Sequence, residues 1–197
     1  DIRKKKRSII LINNGIHPGE PEGIDASMIF ARKMVLDKAN LAYMNKVSLI
    51  IIPIYNIGGS LLRNSTSRVN QNGPMAYGFR GNRQNLDLNR DFIKCDSKNA
   101  KTFSNIFNQW NPDILIDNHT SDGADYTYNI TLLASQKNKL NVILGDYMYN
   151  KFIPSIYASM NLLNELLVPY VNVEDIPDDG IYDFMYSSRF SSGYAVI

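Results

Sequence analysis

Two histidines occur in this 197-residue chain, and both stand where a side chain can do chemistry. His17 opens the tetrapeptide His17-Pro18-Gly19-Glu20, directly after the apolar run Ser8 to Ile12 and the turn residues Asn13-Asn14-Gly15. An imidazole and a carboxylate three positions apart on a tight turn can face one cation. That donor pair suits Zn²⁺, which in catalytic sites takes three protein ligands and keeps one position open. The third ligand can hardly be other than His119, again at the end of an apolar run, Asp113 to Asp117. A lone His-x-x-Glu is a weak motif. Two histidines beyond the carboxyl ends of strands are a stronger one, because open α/β sheets bind ligands there.

The elements that must position these residues are readable from periodicity. Ser8–Ile12 and Lys46–Tyr55 are near-continuous apolar runs, as in strands buried on both faces. Between them, Ile24, Met28, Ala31 and Val35, with Ile29, Met34 and Leu36, trace a helical face predicted to cover a sheet. Ala100, Phe103, Ile106, Phe107 and Trp110 give a second helix, capped by Asp96 or Ser97. The order strand, helix, strand, helix, strand predicts an α/β domain with a mixed, largely parallel central sheet flanked by helices. Further on, Tyr126–Leu133 has strand composition. Val142–Leu167 is helical in pattern but must be kinked or split by Pro154. Leu61–Arg83 lacks periodicity and is read as a long functional loop. It runs into a segment rich in anion-binding donors, Arg80, Arg83, Asn85, Asn89 and Arg90. Arg63, Arg68 and Arg83 are expected to be solvated.

Length and composition fit one domain, residues 1–197, able to bury roughly 70% of its unfolded surface. Hydrophobic residues make up 44% of the chain and charged residues 20%, which argues against disorder. A net charge of +2 gives no reason to expect nucleic acid. The basic run Arg3–Arg7 reads as a solvated lead into the first strand. The single cysteine, Cys95, rules out an intramolecular disulfide framework and a multi-cysteine zinc site. No apolar stretch is long enough to span a membrane.

His17-Pro18-Gly19-Glu20, then Asn85-Leu86-Asp87-Leu88-Asn89-Arg90-Asp91-Phe92, then Asp117-Asn118-His119, in this order, resemble the zinc carboxypeptidases of the carboxypeptidase A type, peptidase family M14. The resemblance spans Ser8 to about Ser121 and implies a carboxypeptidase A-like phosphorylase/hydrolase-type architecture. It implies one Zn²⁺ held by His17, Glu20 and His119, with Asp87 accepting a hydrogen bond from the His17 ring. Asn89 and Arg90 would bind the free C-terminal carboxylate of a peptide substrate, and Arg80, with Arg83 second, would polarise the scissile carbonyl. The expected activity is hydrolysis of a C-terminal peptide bond, with an exported location.

Two other activities share these features: an N-acyl-amino-acid deacylase of the desuccinylase or aspartoacylase kind, and a zinc- and peptide-binding module without turnover. The sequence departs from the family at one point. Its general-base glutamate should lie on a late strand, yet no Glu follows Glu174, and neither Glu165 nor Glu174 has strand context. The matching tyrosine can be Tyr182, Tyr186 or Tyr194. The expectation is a fragment, incomplete at the C-terminus and lacking the family's leading hairpin.

Overall fold

The computed structural model describes residues 2, 6–68, 73–121, 128–173 and 181–184. Most of the basic run, together with Glu174, Tyr186 and Tyr194, lies outside them. The chain divides into two compact units, Asp1–Gly123 and Ala124–Ile197.

The first unit is built on three parallel strands in the order β2-β1-β5: β1 (Ser8–Asn13), β2 (Val47–Ile52) and β5 (Ile114–Asp117). β1 is central, and Ile9, Leu11 and Ile12 are buried. Hydrogen bonding continues beyond its last rung, with Asn14 N donating to Ile52 O, Asn118 N to Asn13 O, and Asn56 N to Gly15 O. The positive φ of Gly15, 65°, turns the chain toward His17. A Cβ there would meet the Ile24 side chain at 3.0 Å.

β2 is half-buried throughout rather than buried on both faces, because it has a strand neighbour on one side only among the described residues. It also stops at Ile52, short of the predicted Tyr55. Pro53, next in the chain, has no N–H for the ladder.

Helix α1 (Glu22–Leu36) returns the chain from β1 toward β2. Its inward line runs through Ile24, Ser27, Ala31 and Met34, with Ser27 and Met34 buried. Met28 and Val35, predicted to face the sheet, are exposed. Ile29 and Leu36, on the same predicted face, are exposed as well, so the apolar pattern is much broader than the buried stripe. A short helix, α2 (Leu41–Met44), precedes β2.

Helix α4 (Lys98–Trp110) starts at Ser97, whose Oγ accepts from Ala100 N, and ends at Asn111 in the left-handed region. Its Phe103 is buried against Tyr55, Phe92 and Phe107. With Leu11, Ile16 and Leu88 these rings form the core beneath the strand ends.

The segment predicted as one long loop carries structure. Helix α3 (Ile57–Leu61) is capped by Asn56, and β3 (Arg63–Asn64) pairs antiparallel with β4 (Tyr77–Gly78). Elements of five and two residues leave no periodicity to read.

In the second unit β6 (Ile130–Leu132) pairs in parallel with β7 (Leu167–Pro169), and β8 (Val171–Val173) pairs antiparallel with β9 (Ile181–Phe184). The predicted break at Pro154 takes another form. Helix α5 (Val142–Tyr147) passes through a π-helical turn at Met148–Phe152 into α6 (Ile153–Leu162). A wide turn lets the chain stay helical where the proline nitrogen cannot donate. The helix ends at Leu162, with Asn164 in the left-handed region, so the predicted terminal residue Leu167 belongs to a strand.

The loop before α4 is held by one carboxylate. Asp91 Oδ1 accepts from Asp96 N and Oδ2 from Ser97 N, each at 2.9 Å. Burial works against its charge, but the donors of Ser97 and Asp96 outweigh burial and hold its pKa below the ordinary carboxylate range. Removing the carboxylate in Asp91→Ala leaves buried N–H groups unpaired and is expected to cost about 1–3 kcal/mol at neutral pH. Because the folded pKa is the lower one, this stabilisation is present above the unfolded value of about 4 and is lost as pH falls through the folded value. Urea midpoints of wild type and Asp91→Ala should therefore differ at pH 7 and converge on acidification. A gap that stays constant to pH 2.5 contradicts this account.

Candidate metal centre

His17 and Glu20 share a turn closed by Glu20 N donating to His17 O at 3.0 Å. Both are buried, at 3% and 4% exposure. The turn puts His17 Nδ1 2.9 Å from Glu20 Oε1. His119, two residues beyond β5, brings its Nδ1 to 3.0 Å from Glu20 Oε2. One donor atom from each of the three residues can be chosen so that all lie within 4.8 Å of one another. The three sequence-predicted ligands therefore converge, from two strand ends about a hundred residues apart. Two imidazole nitrogens and a carboxylate oxygen are the donor set of a His₂Glu zinc site, and burial of the carboxylate favours a cation beside it. The residues fit the group.

Each histidine is backed by a second carboxylate. His17 Nε2 lies 3.0 Å from Asp87 Oδ1, as the resemblance implies. His119 Nε2 lies 3.1 Å from Asp117 Oδ2, which the sequence reading did not assign. The signal was available, since residues two apart at a strand end point the same way. A carboxylate on Nε2 keeps the proton there and leaves the Nδ1 lone pair for a metal.

Arg68 was expected to be solvated, yet it is 6% exposed and its Nη1 donates to Glu20 Oε1 at 3.0 Å. No spacing rule links residues 48 apart through an aperiodic loop. The loop is steered by an Asx turn, in which Asn64 Oδ1 accepts from Thr66 N and Ser67 Oγ. Arg80 donates through Nε and Nη2 to Asp87 Oδ2, at 3.1 and 3.0 Å. Arg83 is exposed.

Asn89 and Arg90 lie on a short 3₁₀ turn, Leu88–Arg90, capped by the same Asp87 oxygen that faces His17. Asn89 is half-buried and Arg90 exposed. The turn with both carboxylate-binding candidates is thus anchored to His17, a candidate metal ligand, through one side chain. Glu165, in the second unit, is exposed and accepts from Asn129 Nδ2.

Two close fits hold the ligand turn in place. A Cβ on Gly19 would meet Arg68 Cγ at 2.7 Å and Gly78 O at 3.0 Å, and one on Gly78 would meet Pro18 Cβ at 2.6 Å. Asn56, fully buried, donates to both Ile16 O and Arg80 O and accepts from Gly59 N.

Burial disfavours charge on His119, but the carboxylates of Asp117 and Glu20 outweigh it and raise its pKa to about 10. His17 is raised for the same reason, by Asp87 and Glu20 acting against burial. Burial would lift Glu20, yet the two histidines hold it below the usual range. Asp87 is lowered likewise, His17 and Arg80 overcoming its burial.

A sequence profile of the zinc carboxypeptidases, Peptidase M14, matches residues 2–165. No curated protein matches the chain. Four solved chains match. Among them is a metallo-carboxypeptidase from Pseudomonas aeruginosa in complex with (2-guanidinoethylmercapto)succinic acid, at TM-score 0.61 and 12% identity. The match covers 95% of this chain and 45% of that one, so the chain spans less than half the length of that protein. At this identity the likeness speaks for the fold.

Purified chain is expected to hold about one Zn²⁺, and His17→Ala or His119→Ala to lose it. Because the metal-free histidines bind protons more tightly than usual, loading should release protons and the apparent affinity should fall as pH drops. Elemental analysis after dialysis, and titration in weakly buffered solution, check both. Full zinc occupancy in the double variant, or affinity independent of pH between 6 and 8, contradicts the assignment.

Proposed function

Because the chain belongs to the zinc carboxypeptidase family, we propose that it forms the metal-binding part of a metallocarboxypeptidase that hydrolyses the C-terminal peptide bond of peptides. The observation that carries this reading is the tie from His17 through Asp87 to the Asn89–Arg90 turn. It links a cation site to donors for a carboxylate, the two features a C-terminal exopeptidase must combine.

His17, Glu20 and His119 would hold one Zn²⁺ per chain, and when bound it supplies Lewis-acid polarisation of a carbonyl and a water of lowered pKa. The protein's own residues do the rest. Asn89 and Arg90 bind the terminal carboxylate of the peptide, Arg90 with a guanidinium fork matched to two oxygens. Fixing that end places the last peptide bond at the cation and rejects chains that continue further. Arg80 keeps Nη1 outside its pair with Asp87 and is assigned to the oxyanion that develops on the scissile carbonyl. Asp87 orients His17 and, through its backbone cap, the Asn89–Arg90 turn.

The substrate end is where this reading separates from N-acyl-amino-acid hydrolysis. A protein carrying this chain, loaded with Zn²⁺, is expected to cleave an N-blocked dipeptide with a free carboxylate and to spare its C-terminal amide. Arg90→Ala should raise KM for the acid by about 10-fold or more, the loss of a charge-assisted pair, while zinc content stays the same. Faster turnover of N-acetyl or N-succinyl amino acids than of the dipeptide points to the deacylase. No turnover of either, with zinc bound, points to a binding module.

A further inference from the structure

The two zinc-ligand histidines are not held alike. His17 sits inside a closed turn, with its backbone fixed by Glu20 N. His119 lies on the chain beyond β5 with its side chain 30% exposed, and its ring is gripped from behind by Asp117. Asp117 is itself gripped: Asn13 Nδ2 donates to its Oδ1 at 3.0 Å, which leaves Oδ2 for His119 Nε2 at 3.1 Å. Asn13 and Asp117 are partners across the last rung shared by β1 and β5. The bridge therefore ties the strand that leads to His17 and Glu20 to the strand that leads to His119.

Asn13 is fully buried, and its Oδ1 has no donor among the described residues. A buried amide oxygen without a partner is destabilising, whereas an apolar side chain at this central-strand position would carry no such cost. The amide is kept for its donor, and the donor points at Asp117. A carboxylate on a histidine's far nitrogen sets tautomer and ring angle, and removing one typically weakens metal binding.

We propose that Asp117, with its rotamer set by Asn13, is the positioning residue that holds His119 with Nδ1 toward the metal. This rests on the reading of His17, Glu20 and His119 as a zinc site. The bridge makes the sheet itself part of the ligand geometry: the third ligand stays aligned only while β1 and β5 remain in register.

The experiment compares wild type, Asp117→Ala, Asp117→Asn, Asn13→Ala and the Asn13→Ala/Asp117→Ala double variant. Zn²⁺ affinity is measured by competition with a chromophoric chelator, and urea midpoints report folding. Asp117→Ala is expected to bind about 10- to 100-fold more weakly. Asp117→Asn, isosteric and able to offer its one carbonyl oxygen to only one of the two partners, should fall between it and wild type. Asn13→Ala should weaken binding less, and the double variant no more than Asp117→Ala, because the two residues act in series. In the zinc-loaded wild type the His119 Nε2 proton should give a slowly exchanging imidazole resonance that is lost in Asp117→Ala. A residue with only a structural role would leave that resonance in place. Wild-type chain without zinc overturns the metal reading and this one together. Wild type that binds zinc, with both Asp117 variants within twofold of it, overturns this inference alone. Asp117→Asn keeps the test decisive if Asp117→Ala does not fold.

Discussion

A carboxylate buried away from water must be surrounded by donors or it will not stay charged, and Glu20 is such a carboxylate. Its two oxygens are met by His17 Nδ1, Arg68 Nη1, His119 Nδ1 and Thr120 N, all between 2.9 and 3.0 Å. These four partners come from the turn itself, from the loop after β3, and from the stretch beyond β5. Meeting the electrostatic need of one side chain therefore gathers three distant segments at one point. A divalent cation bound there would displace the Nδ1 protons of His17 and His119 and take over their share in balancing Glu20, Asp87 and Asp117, which Arg68 and Arg80 alone only partly offset.

Around that point the frame is made largely of asparagine amides, for a physical reason. Where β1, β2 and β5 end, backbone groups leave the ladder and still need partners. An amide side chain both donates and accepts, so it can satisfy a strand end and a loop at once. Asn14 donates to Ile52 O while its oxygen accepts from Asn118. Asn56 does the same for Ile16, Arg80 and Gly59, and Asn82 Oδ1 accepts from Gln84 N and Leu86 N just before the Asp87 turn. The result is an irregular surface with the order of a regular one.

This also explains what could be read from the residues and what could not. β1, α1, β2, α4 and β5 follow from apolar periodicity, because their burial is local in sequence and repeats. The candidate ligands His17, Glu20 and His119 stand out because so few residue types can bind a metal and because each follows a strand end. The pairing of Asp87 with His17 came from resemblance, and the coordinates place it there. Arg68 escaped, since its burial depends on one carboxylate 48 positions away and its stretch of chain has no apolar periodicity. The hairpin β3–β4 and helix α3 escaped because amide and backbone bonds rather than a hydrophobic stripe hold them. Met28 and Val35 show the converse: an apolar pattern marks a broad face of a helix but not which residues of it the sheet covers.

Gly19 and Gly78 lock the ligand turn against the hairpin stem with no side chain between them. Strand β4 has no room to move toward Pro18, and Arg68, in the loop of the same hairpin, closes over Gly19. Met75, two residues before β4, is by contrast almost wholly in solvent. One hairpin thus presses a strand on Pro18 and hands Glu20 a guanidinium, so a change in its loop length would reach the candidate ligands twice, through packing and through charge.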